Sequence, residues 1–410
     1  MTSDMFDWPP VLLDLSRLVS RLGRPALTGI DRVELAYLNH FLGSGGSMWG
    51  LVRVAGGFAL LDQGGCRVVA SQARAPDLPA RRALVPRLVW RANPVRARAE
   101  TLAGALAIAR CSRAGLAPLL ARHLPAGALY LNTGHSNLDA RVFDAVGGLA
   151  DSRSAVLLHD TIPLDYPQFA RKGTVEPFAA RLRTVATRAD LVICNAQATA
   201  DAAQPHLARA GRMPPIVVAH LGVAPAPQAV GRLPRPLDPA RPVFLALGTI
   251  EPRKNHDLLL DVWVRLAARL PPAKVPQLAL IGARGWADAA LLARLDARPA
   301  GVVELGPLDD PAAAAVMAQA RALLFPSLAE GFGLPLLEAA AAGRAVLASP
   351  LPVFRELAGD YPQYLATDAP DAWADAVAAH AATPPPVLRP CPPLPDWPAH
   401  FTTLGRALSC

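Results

Sequence analysis

The sequence predicts an α/β protein built from two domains, each with a parallel sheet. Short apolar runs of strand length alternate with helix-period segments along almost the whole chain, which is typical of parallel α/β folds. At 410 residues the chain exceeds the length of one ordinary hydrophobic core. A proline-rich stretch near the middle has no apolar period and therefore separates the two predicted domains.

The predicted strands are short and rich in aliphatic residues, as expected for strands buried on both faces. In the first half they fall at 11–15, 48–54, 128–131, 154–158, 191–194 and 216–219. In the second half they fall at 242–247, 278–281, 302–305, 322–325, 345–348 and 363–365. Helix-period segments connect most of them, so each half reads as a doubly wound unit.

We predict an N-terminal domain at 1–223, a linker at 224–241, a C-terminal domain at 242–383 and a tail at 384–410. An arginine- and alanine-rich segment at about 76–125 is expected to form a helical insertion in the first domain. Its basic face either faces solvent or touches a membrane surface. The tail combines a proline-rich bridge with a last helix at about 397–408.

Composition and charge exclude several classes of protein. A hydrophobic content of 52% excludes wholesale disorder, and no apolar run is long enough to span a membrane. The N-terminus lacks a signal-peptide pattern, and the five cysteines show neither paired nor zinc-ligand spacing, so we expect a reducing cytoplasm. The net charge of +8 predicts an anionic partner. Nucleotide diphosphates, or the inner face of an anionic membrane, explain it better than nucleic acid, because no basic helical stripe is present.

The strongest functional pattern is Glu-Gly-Phe-Gly-Leu-Pro-Leu-Leu-Glu, which runs from Glu330 to Glu338 after an apolar run. Gly331 and Gly333 allow a ligand to approach the backbone closely, and Pro335 suits the start of a helix. The loop therefore predicts free N–H groups at the positive end of a helix dipole, which attract an anion. Taken alone, the two glutamates are better explained structurally, Glu330 as a helix cap and Glu338 as a solvated side chain. Their combination in one string favours a binding site.

A second pattern, Gly-Thr-Ile-Glu-Pro-Arg-Lys-Asn, follows the strand predicted at 242–247 and ends at Asn255. It places Arg253 and Lys254 at a strand-to-helix turn, where open parallel sheets bind ligands. Arginine offers a bidentate fork and lysine a point charge, a combination suited to a diphosphate. Lys254 is one of only three lysines in the chain. The alternative is a solvated basic turn, with Asn255 capping the next helix.

Both patterns resemble the donor-site signature of retaining glycosyltransferases of the GT-B fold, family 4 (glycosyl transferases group 1). The second is similar to a subgroup that reads Gly-Thr-x-Glu-Pro-Arg-Lys-Asn, with Thr249 at a position where the family commonly has arginine. The resemblance is tight over about 235–360 and loose over the first half. It implies two Rossmann-like domains facing across a cleft, with a C-terminal helix that returns to the first domain.

The resemblance also implies roles for matching residues. Glu330 would hold hydroxyls of the donor sugar and Glu338 those of the ribose, while Arg253 and Lys254 would neutralise the diphosphate. The other implied donor-site residues are Thr249, Gly306, Gly331, Phe332, Gly333 and Leu334. Gly306, at a strand end, would frame the base.

Polar residues also follow the strands of the first half. His159 and Asp160 stand at a predicted strand end, where a structural histidine is an equally good interpretation. Next to the donor patterns, His159 resembles the family histidine that projects into the cleft and contacts the transferred sugar, which makes it, with Glu330 and Lys254, a predicted catalytic residue. His135 and Asp160 are weaker candidates for acceptor contact. Gly29 resembles the family's first glycine loop, and Arg32 either holds an anionic group or faces solvent.

The functional hypothesis is a metal-independent retaining glycosyltransferase. It would move a sugar, of mannosyl type, from a nucleotide-diphosphate sugar to a saccharide or lipid-linked acceptor in surface polysaccharide synthesis. The sequence contains no Asp-x-Asp triplet, so neither a metal nor another cofactor is expected beyond the donor as co-substrate. Two alternatives are a sugar-nucleotide epimerase or isomerase of GT-B shape and a non-catalytic sugar-nucleotide-binding protein. Nucleic acid is not an expected partner.

Overall fold

The computed structural model describes residues 6–24, 26–75, 77–223, 233–383 and 389–409. The first part of the chain forms β1 (Val11–Asp14), α1 (Ser16–Arg21), α2 (Gly29–Gly43), β2 (Met48–Val54), β3 (Gly57–Leu61), α3 (Gln63–Arg74), α4 (Leu84–Val89), α5 (Pro94–Leu106), β4 (Ala107–Cys111), α6 (Leu116–His123), β5 (Leu129–Asn132), α7 (Ala140–Gly147), β6 (Arg153–Leu158), α8 (Ile162–Asp165), α9 (Val175–Arg188), β7 (Leu191–Cys194), α10 (Gln197–Ala208) and β8 (Ile216–Val218).

The second part forms β9 (Val243–Leu247), α11 (His256–Arg269), β10 (Gln277–Ile281), α12 (Ala289–Asp296), β11 (Val302–Gly306), α13 (Asp310–Gln319), β12 (Ala322–Phe325), α14 (Leu334–Ala341), β13 (Ala345–Ala348), α15 (Pro352–Ala358), β14 (Gln363–Tyr364), α16 (Pro370–Ala382) and α17 (Trp397–Ser409). All strands predicted from the sequence are confirmed, with small differences at their ends. Two strands, β3 and β4, escaped prediction.

Each domain is built around one sheet with helices on its faces. The first sheet has eight strands in the order β4-β3-β2-β1-β5-β6-β7-β8, and the second has six in the order β11-β10-β9-β12-β13-β14. The second sheet is parallel throughout and has the 3-2-1-4-5-6 order of doubly wound nucleotide-binding folds. In each sheet the strands are added first to one side of the first strand and then to the other. The strand order therefore reverses at β1/β5 and at β9/β12. Ligand sites of such sheets lie at these points.

The segment at 76–125 corrects one prediction, because it is not helical throughout. Ala107–Cys111 forms β4, which pairs antiparallel with β3, and β3 pairs antiparallel with β2. The side chains of β4 alternate between half-buried and exposed, a period of two that the alanine-rich composition obscured. β2 and β3 are joined by a two-residue turn containing Gly56, a hairpin pattern that is readable in the sequence.

The last helix, α17, packs against the first domain rather than the second. His400 is almost fully buried there, and its Nε2 lies 2.7 Å from the Tyr37 hydroxyl. Its Nδ1 donates to the carbonyl oxygens of Ala219 and His220 at 3.1 and 3.0 Å. Burial lowers the pKa of His400 to about 4, so the ring is neutral at physiological pH and Nε2 accepts from Tyr37.

A carboxylate from the second domain also holds the two domains together. Glu356 on α15 accepts hydrogen bonds from the backbone N–H groups of Gln197 and Ala198 at 2.6 and 2.9 Å, at the positive end of α10. Its Oε1 lies 2.8 Å from His220 Nε2. No helix in the described part of the chain is both long and apolar enough to span a bilayer.

Candidate active site

Two loops meet at the carboxyl edge of the second sheet, where β9 and β12 are neighbours. The loop after β9 carries Arg253 and Lys254 in the short 3-10 turn Pro252–Lys254. The loop after β12 carries Glu330. Because β9 and β12 flank the point at which the strand order changes direction, the fold brings the two sequence patterns into one site.

Glu330 is the centre of this site. Lys254 Nζ donates to Glu330 Oε1 at 2.5 Å, Arg253 Nη1 donates to Oε2 at 2.6 Å, and Ser327 Oγ donates to Oε1 at 2.7 Å. Arg253 Nε also lies 2.6 Å from the carboxylate of Glu251. The side chains of Glu330 and Lys254 are only 7% and 10% exposed. The four charged groups therefore form one network that is largely closed to bulk water.

The charges of this network are set by its burial. Burial alone would raise the pKa of the Glu330 carboxyl, but Arg253 and Lys254 lower that pKa to about 2. Burial raises the pKa of Glu251, although Arg253 and Lys254 oppose the rise. At neutral pH, Glu330 is thus a carboxylate that holds two cations in fixed positions. An anionic ligand would find these cations oriented before it arrives.

Gly331 makes a very close contact between the two domains. A Cβ at this position would lie 2.2 Å from the carbonyl oxygen of His159 and 2.9 Å from Asp160 Cβ, so no side chain fits. Thr199 Oγ1 of the first domain donates to the Gly331 carbonyl at 3.0 Å. Gly333 then begins α14 with φ of +101°, a left-handed conformation that favours glycine. The loop joins the domain contact to the positive end of a helix.

Replacing Gly331 with alanine is expected to separate the domains at this point. The obstructing atom is a backbone oxygen, which cannot rotate away, so we expect a loss of about 1–3 kcal/mol of unfolding free energy. Thermal unfolding and small-angle X-ray scattering would show a lower melting temperature and a larger radius of gyration. Gly147→Ala is the matched control, because a Cβ at Gly147 meets nothing within 4 Å. An unchanged scattering profile for Gly331→Ala would contradict the contact.

His159 and Asp160 lie at the end of β6, directly across from Gly331. His159 Nε2 is 2.7 Å from the Thr133 carbonyl, and since a carbonyl only accepts, Nε2 carries the proton. Burial lowers the pKa of His159 to about 3, so the ring is neutral and Nδ1 is an acceptor. Asp160 does not orient this ring, because its Oδ1 accepts from the Ile162 N–H at 3.1 Å. Burial raises the pKa of the Asp160 carboxyl.

His135 lies beside His159 in the first domain. Their ring centroids are 5.0 Å apart, and His135 Nε2 is 2.9 Å from the Leu157 carbonyl. His135 has φ of 56°, an unusual backbone conformation for a non-glycine residue. Burial lowers its pKa to about 4. The structure therefore places two neutral histidines at neighbouring strand ends of the first sheet.

Arg32 joins the two domains through a second contact. Its Nη1 donates to Glu338 Oε1 at 2.6 Å and its Nη2 donates to Asp310 Oδ1 at 2.6 Å. Burial alone would lower the pKa of Arg32, but Glu338 and Asp310 raise it. A Cβ at Gly29 would lie 3.3 Å from Leu334 Cδ1, so the start of α2 faces the start of α14. Arg32 is thus paired with two carboxylates of the second domain while its side chain stays 36% exposed.

The remaining predicted donor residues surround the same sheet edge. Thr249 follows β9, and its Cγ2 would lie 2.6 Å from a Cβ built at Gly285. Gly306 ends β11 with φ of +70°, and a Cβ built at this position would meet no atom within 4 Å. Phe332 is buried in the core, so only its backbone can serve a ligand. Asn255 occupies the N-cap of α11 as expected, but its side chain makes no capping bond.

Sequence reasoning missed four residues that shape the site: Glu251, Ser327, Thr199 and Asp310. Glu251 lies inside the second pattern, and its adjacency to Arg253 could have indicated an ion pair. Ser327 stands three residues before Glu330, a spacing that permits the observed bond. Thr199 and Asp310 carry no local sign of their roles, because their partners lie in the other domain.

No group of three or more His, Cys, Asp or Glu side chains that could hold a metal ion occurs in the described ranges. The polar groups at the site are instead a lysine, an arginine, backbone N–H groups and carboxylates. Such a donor set suits a polyhydroxylated anionic ligand, because cations and N–H groups bind phosphate oxygens while carboxylates accept sugar hydroxyls.

Solved structures with a similar fold show the fold class of this chain. HepE of Anabaena in complex with UDP-glucose is 17% identical, with a TM-score of 0.57 over 91% of this chain and 92% of that chain. A trehalose 6-phosphate synthase from Burkholderia multivorans is 14% identical, with a TM-score of 0.57 over 98% of this chain and 92% of that chain. The chain therefore has the GT-B fold, as the sequence predicted.

Within this class, residues 241–382 match the family described as Glycosyl transferases group 1. The matched range contains both loops of the candidate site, so the second domain is similar to this family where the site lies. This agrees with the coarser part of the prediction, glycosyl transferases group 1, while family 4, the subgroup and the retaining mechanism stay predictions.

Curated relatives with similar sequences are named as mannosyltransferases. Serotype-specific mannosyltransferase WbdA of Escherichia coli is 30% identical over 265 residues, 59% of this chain and 32% of that protein. The O-antigen chain mannosyltransferase B of Escherichia coli is 38% identical over 138 residues, 33% of this chain and 35% of that protein. A phosphatidyl-myo-inositol mannosyltransferase of Mycobacterium tuberculosis is 37% identical over 131 residues, 31% of this chain and 33% of that protein. The chain thus spans about a third of the length of these relatives.

Proposed function

We propose that this protein is a glycosyltransferase that moves a hexose from a nucleotide-diphosphate sugar to a saccharide or glycolipid acceptor in surface polysaccharide synthesis. The observation that carries the proposal is the network of Glu330, Arg253 and Lys254 at the switch point of a domain that is similar to glycosyl transferases group 1. The relatives named as mannosyltransferases support mannose as the sugar. The structural neighbour in complex with UDP-glucose supports a nucleotide sugar as the donor.

The proposal includes retention of the anomeric configuration and a reaction without a metal ion. Retention is supported by the resemblance to family 4, and metal independence by the lack of any Asp-x-Asp triplet in the sequence. The acceptor oxygen bonds to the anomeric carbon on the face that the diphosphate leaves, and the bond from that carbon to the phosphate oxygen breaks. The acceptor proton passes to the leaving phosphate. Arg253, Lys254 and the N–H groups of the Gly331–Gly333 loop stabilise the diphosphate charge.

Other residues would position the two substrates. Glu330 already accepts from Lys254, Arg253 and Ser327, so it can accept one hydroxyl of the donor sugar through the remaining lone pair on Oε2. His159 Nδ1 can accept a further hydroxyl from the transferred sugar. On the acceptor side stand Gly29, Arg32, His135 and Asp160. A lipid-linked acceptor would place the reaction at the cytoplasmic face of a membrane.

Two alternatives make different predictions. A sugar-nucleotide epimerase or isomerase would alter the donor with no acceptor present, and a non-catalytic binder would leave it intact. The relatives described above are named as transferases, which favours transfer.

The deciding experiment incubates the purified chain with GDP-mannose, UDP-glucose or ADP-glucose, with and without EDTA, and with oligomannoside or glycolipid acceptors. Mass spectrometry would detect a lengthened acceptor, and NMR would give the anomeric configuration of the new linkage. Transfer that survives EDTA and yields the donor's own configuration supports the full proposal. Donor conversion without acceptor would identify an epimerase. Binding without turnover for every donor and acceptor would refute a transferase.

Replacing Glu338 with alanine is expected to raise the donor KM by about 10- to 100-fold, because a charged hydrogen bond to the ribose contributes about 1.5–3 kcal/mol. The value of kcat should change little. Asp310→Ala is the matched control, since it removes the other carboxylate held by Arg32 and leaves the predicted ribose site intact. Steady-state kinetics with varied donor would test this. Equal KM values for both variants would remove Glu338 from the ribose site.

A further inference from the structure

The short helix α4 exposes an apolar face on the first domain. None of its side chains is buried, and Leu84, Val85, Leu88 and Val89 are 62%, 50%, 46% and 54% exposed. Leu84 and Leu88, like Val85 and Val89, are four residues apart and lie above one another on the helix. An exposed aliphatic face of this kind indicates a surface that is covered by a partner.

Helix α4 is held in place by contacts at both of its ends. The Ala83 N–H donates to Thr101 Oγ1 of α5 at 2.9 Å. Asn93 Oδ1 caps α5 by accepting from the Arg96 N–H at 3.0 Å. The Arg96 guanidinium lies 5.1 Å from the ring centroid of Trp90. These contacts hold α4 against α5 and keep its aliphatic face outward.

The surroundings of this face are strongly cationic. Between Asp77 and Glu100 the sequence has six arginines and no acidic residue. Five of them are exposed. Four of these, Arg81, Arg82, Arg87 and Arg91, lie in or beside α4, and none of the four has an ion-pair partner among the residues the structure describes. We call these arginines and the four aliphatic residues the α4 patch. Long cationic side chains around an aliphatic centre complement an anionic lipid surface, which offers phosphates above an apolar interior.

The α4 patch lies next to the acceptor side of the candidate site. A Cβ at Gly23, in the loop between α1 and α2, would lie 2.8 Å from Leu78 and 2.9 Å from Val95, which flank α4. A cavity of about 330 Å³ in this region is lined by Ser20, Arg24, Asn93 and Arg96 among others. The same loop leads directly into α2, which carries Gly29 and Arg32. The elements that flank α4 thus contact the loop that precedes α2.

We propose that the α4 patch docks this protein on an anionic phospholipid bilayer. The aliphatic residues enter the interface between headgroups and acyl chains, and the four arginines bind lipid phosphates. Docking in this way would present the acceptor side of the cleft to glycolipids in the same membrane. The docking itself does not depend on the proposed transfer reaction, since it is measured without donor or acceptor.

Vesicle flotation of the full chain tests the proposal. The probes are vesicles of phosphatidylcholine and vesicles that also contain phosphatidylglycerol. The charge variant Arg82→Gln/Arg87→Gln/Arg91→Gln should weaken binding to anionic vesicles about 100-fold, from about fivefold per arginine. The apolar variant Leu84→Ser/Leu88→Ser should weaken it at least about tenfold and at every salt concentration. Wild-type binding should fall as salt rises, because the charge attraction is screened.

Matched controls carry the same changes elsewhere. Arg122→Gln/Arg209→Gln/Lys274→Gln removes three exposed cations outside the patch, and Met213→Ser/Val264→Ser removes two exposed apolar side chains that are 50% and 58% exposed. Both controls should bind like the wild type. Absence of wild-type binding to anionic vesicles at low salt would overturn the proposal, as would equal losses in patch and control variants.

Light scattering of the same variants separates lipid from protein partners. A patch variant that turns a dimer into a monomer while keeping its vesicle binding would make a second copy the occupant and overturn the proposal. Since all substituted side chains are exposed, we expect the melting temperatures to remain unchanged. The salt dependence of the wild type provides a test even if one variant misfolds.

Discussion

Replacing Lys254 with alanine is expected to lower kcat/KM for sugar transfer by about 10²- to 10³-fold, the effect of removing one preorganised donor from a developing negative charge. The effect should appear mainly in kcat, because the charge on the diphosphate grows as the bond to the sugar breaks. The fold should persist, since Glu330 keeps its bonds to Arg253 and Ser327. Steady-state kinetics with the donor that the transfer assay identifies gives the answer.

Lys274→Ala is the matched control for this variant. Lys274 lies in the same domain and is exposed, at the end of the 3-10 turn Pro272–Lys274. It should leave kcat/KM unchanged. If Lys254→Ala kept activity within about threefold of the wild type, the arithmetic of transition-state stabilisation would leave Lys254 less than about 0.7 kcal/mol of the barrier. Lys254 would then be a structural partner of Glu330 and not a catalytic residue.

Replacing Glu330 with glutamine is expected to destabilise the second domain by about 3 kcal/mol or more, because Arg253 and Lys254 remain buried without their shared carboxylate. Transfer activity should also be lost, since both cations would shift. Chemical denaturation measures the free energy of unfolding. Glu304→Gln provides the comparison, because Glu304 pairs with the half-exposed Arg284 and should cost no more than about 1 kcal/mol.

The pH dependence of this effect has a definite sign. The pKa of Glu330 is about 2 in the folded protein, against an ordinary value of 4.5. A lowered folded pKa stabilises the protein above the ordinary value, and this stabilisation is lost as pH falls toward 2. The difference in unfolding free energy between wild type and Glu330→Gln should therefore be largest near neutrality and shrink below about pH 4.5. A difference that grows in acid would show that Glu330 is not the anion of the network.

The sequence predicted the second domain better than the first. The strands β9, β10, β12 and β13 are nearly uninterrupted aliphatic runs, buried on both faces, and such runs have few other structural solutions. β4 was not predicted because it lies at the sheet edge, where alternate side chains are exposed. Its alanine-rich composition also suggests a helix. Its assignment depends on pairing with β3, a contact that no local pattern encodes.

The candidate site could also be predicted only in part from the sequence. Loops that follow adjacent strands could be placed in one site from the sequence, because parallel strands deliver their carboxyl ends to one edge. The sequence could not show which charges would pair. Glu330 is bound by Lys254, 76 residues away, and Glu338 by Arg32, 306 residues away. These pairs depend on domain geometry. His159 was equally compatible with a structural role, and its bond to Thr133 becomes visible only when β5 and β6 lie side by side.

The return of α17 to the first domain has a mechanical consequence. The chain passes between the domains twice, once after β8 and once after α16, and Trp397 packs at Gly222 close to the first of these passages. Two covalent connections restrict the relative rotation of the domains more than a single connection would. The Arg32–Glu338 ion pair is one of the contacts that fix the orientation of the two domains. A ligand that binds Glu338 would compete with Arg32 for this carboxylate and so weaken a contact between the two domains.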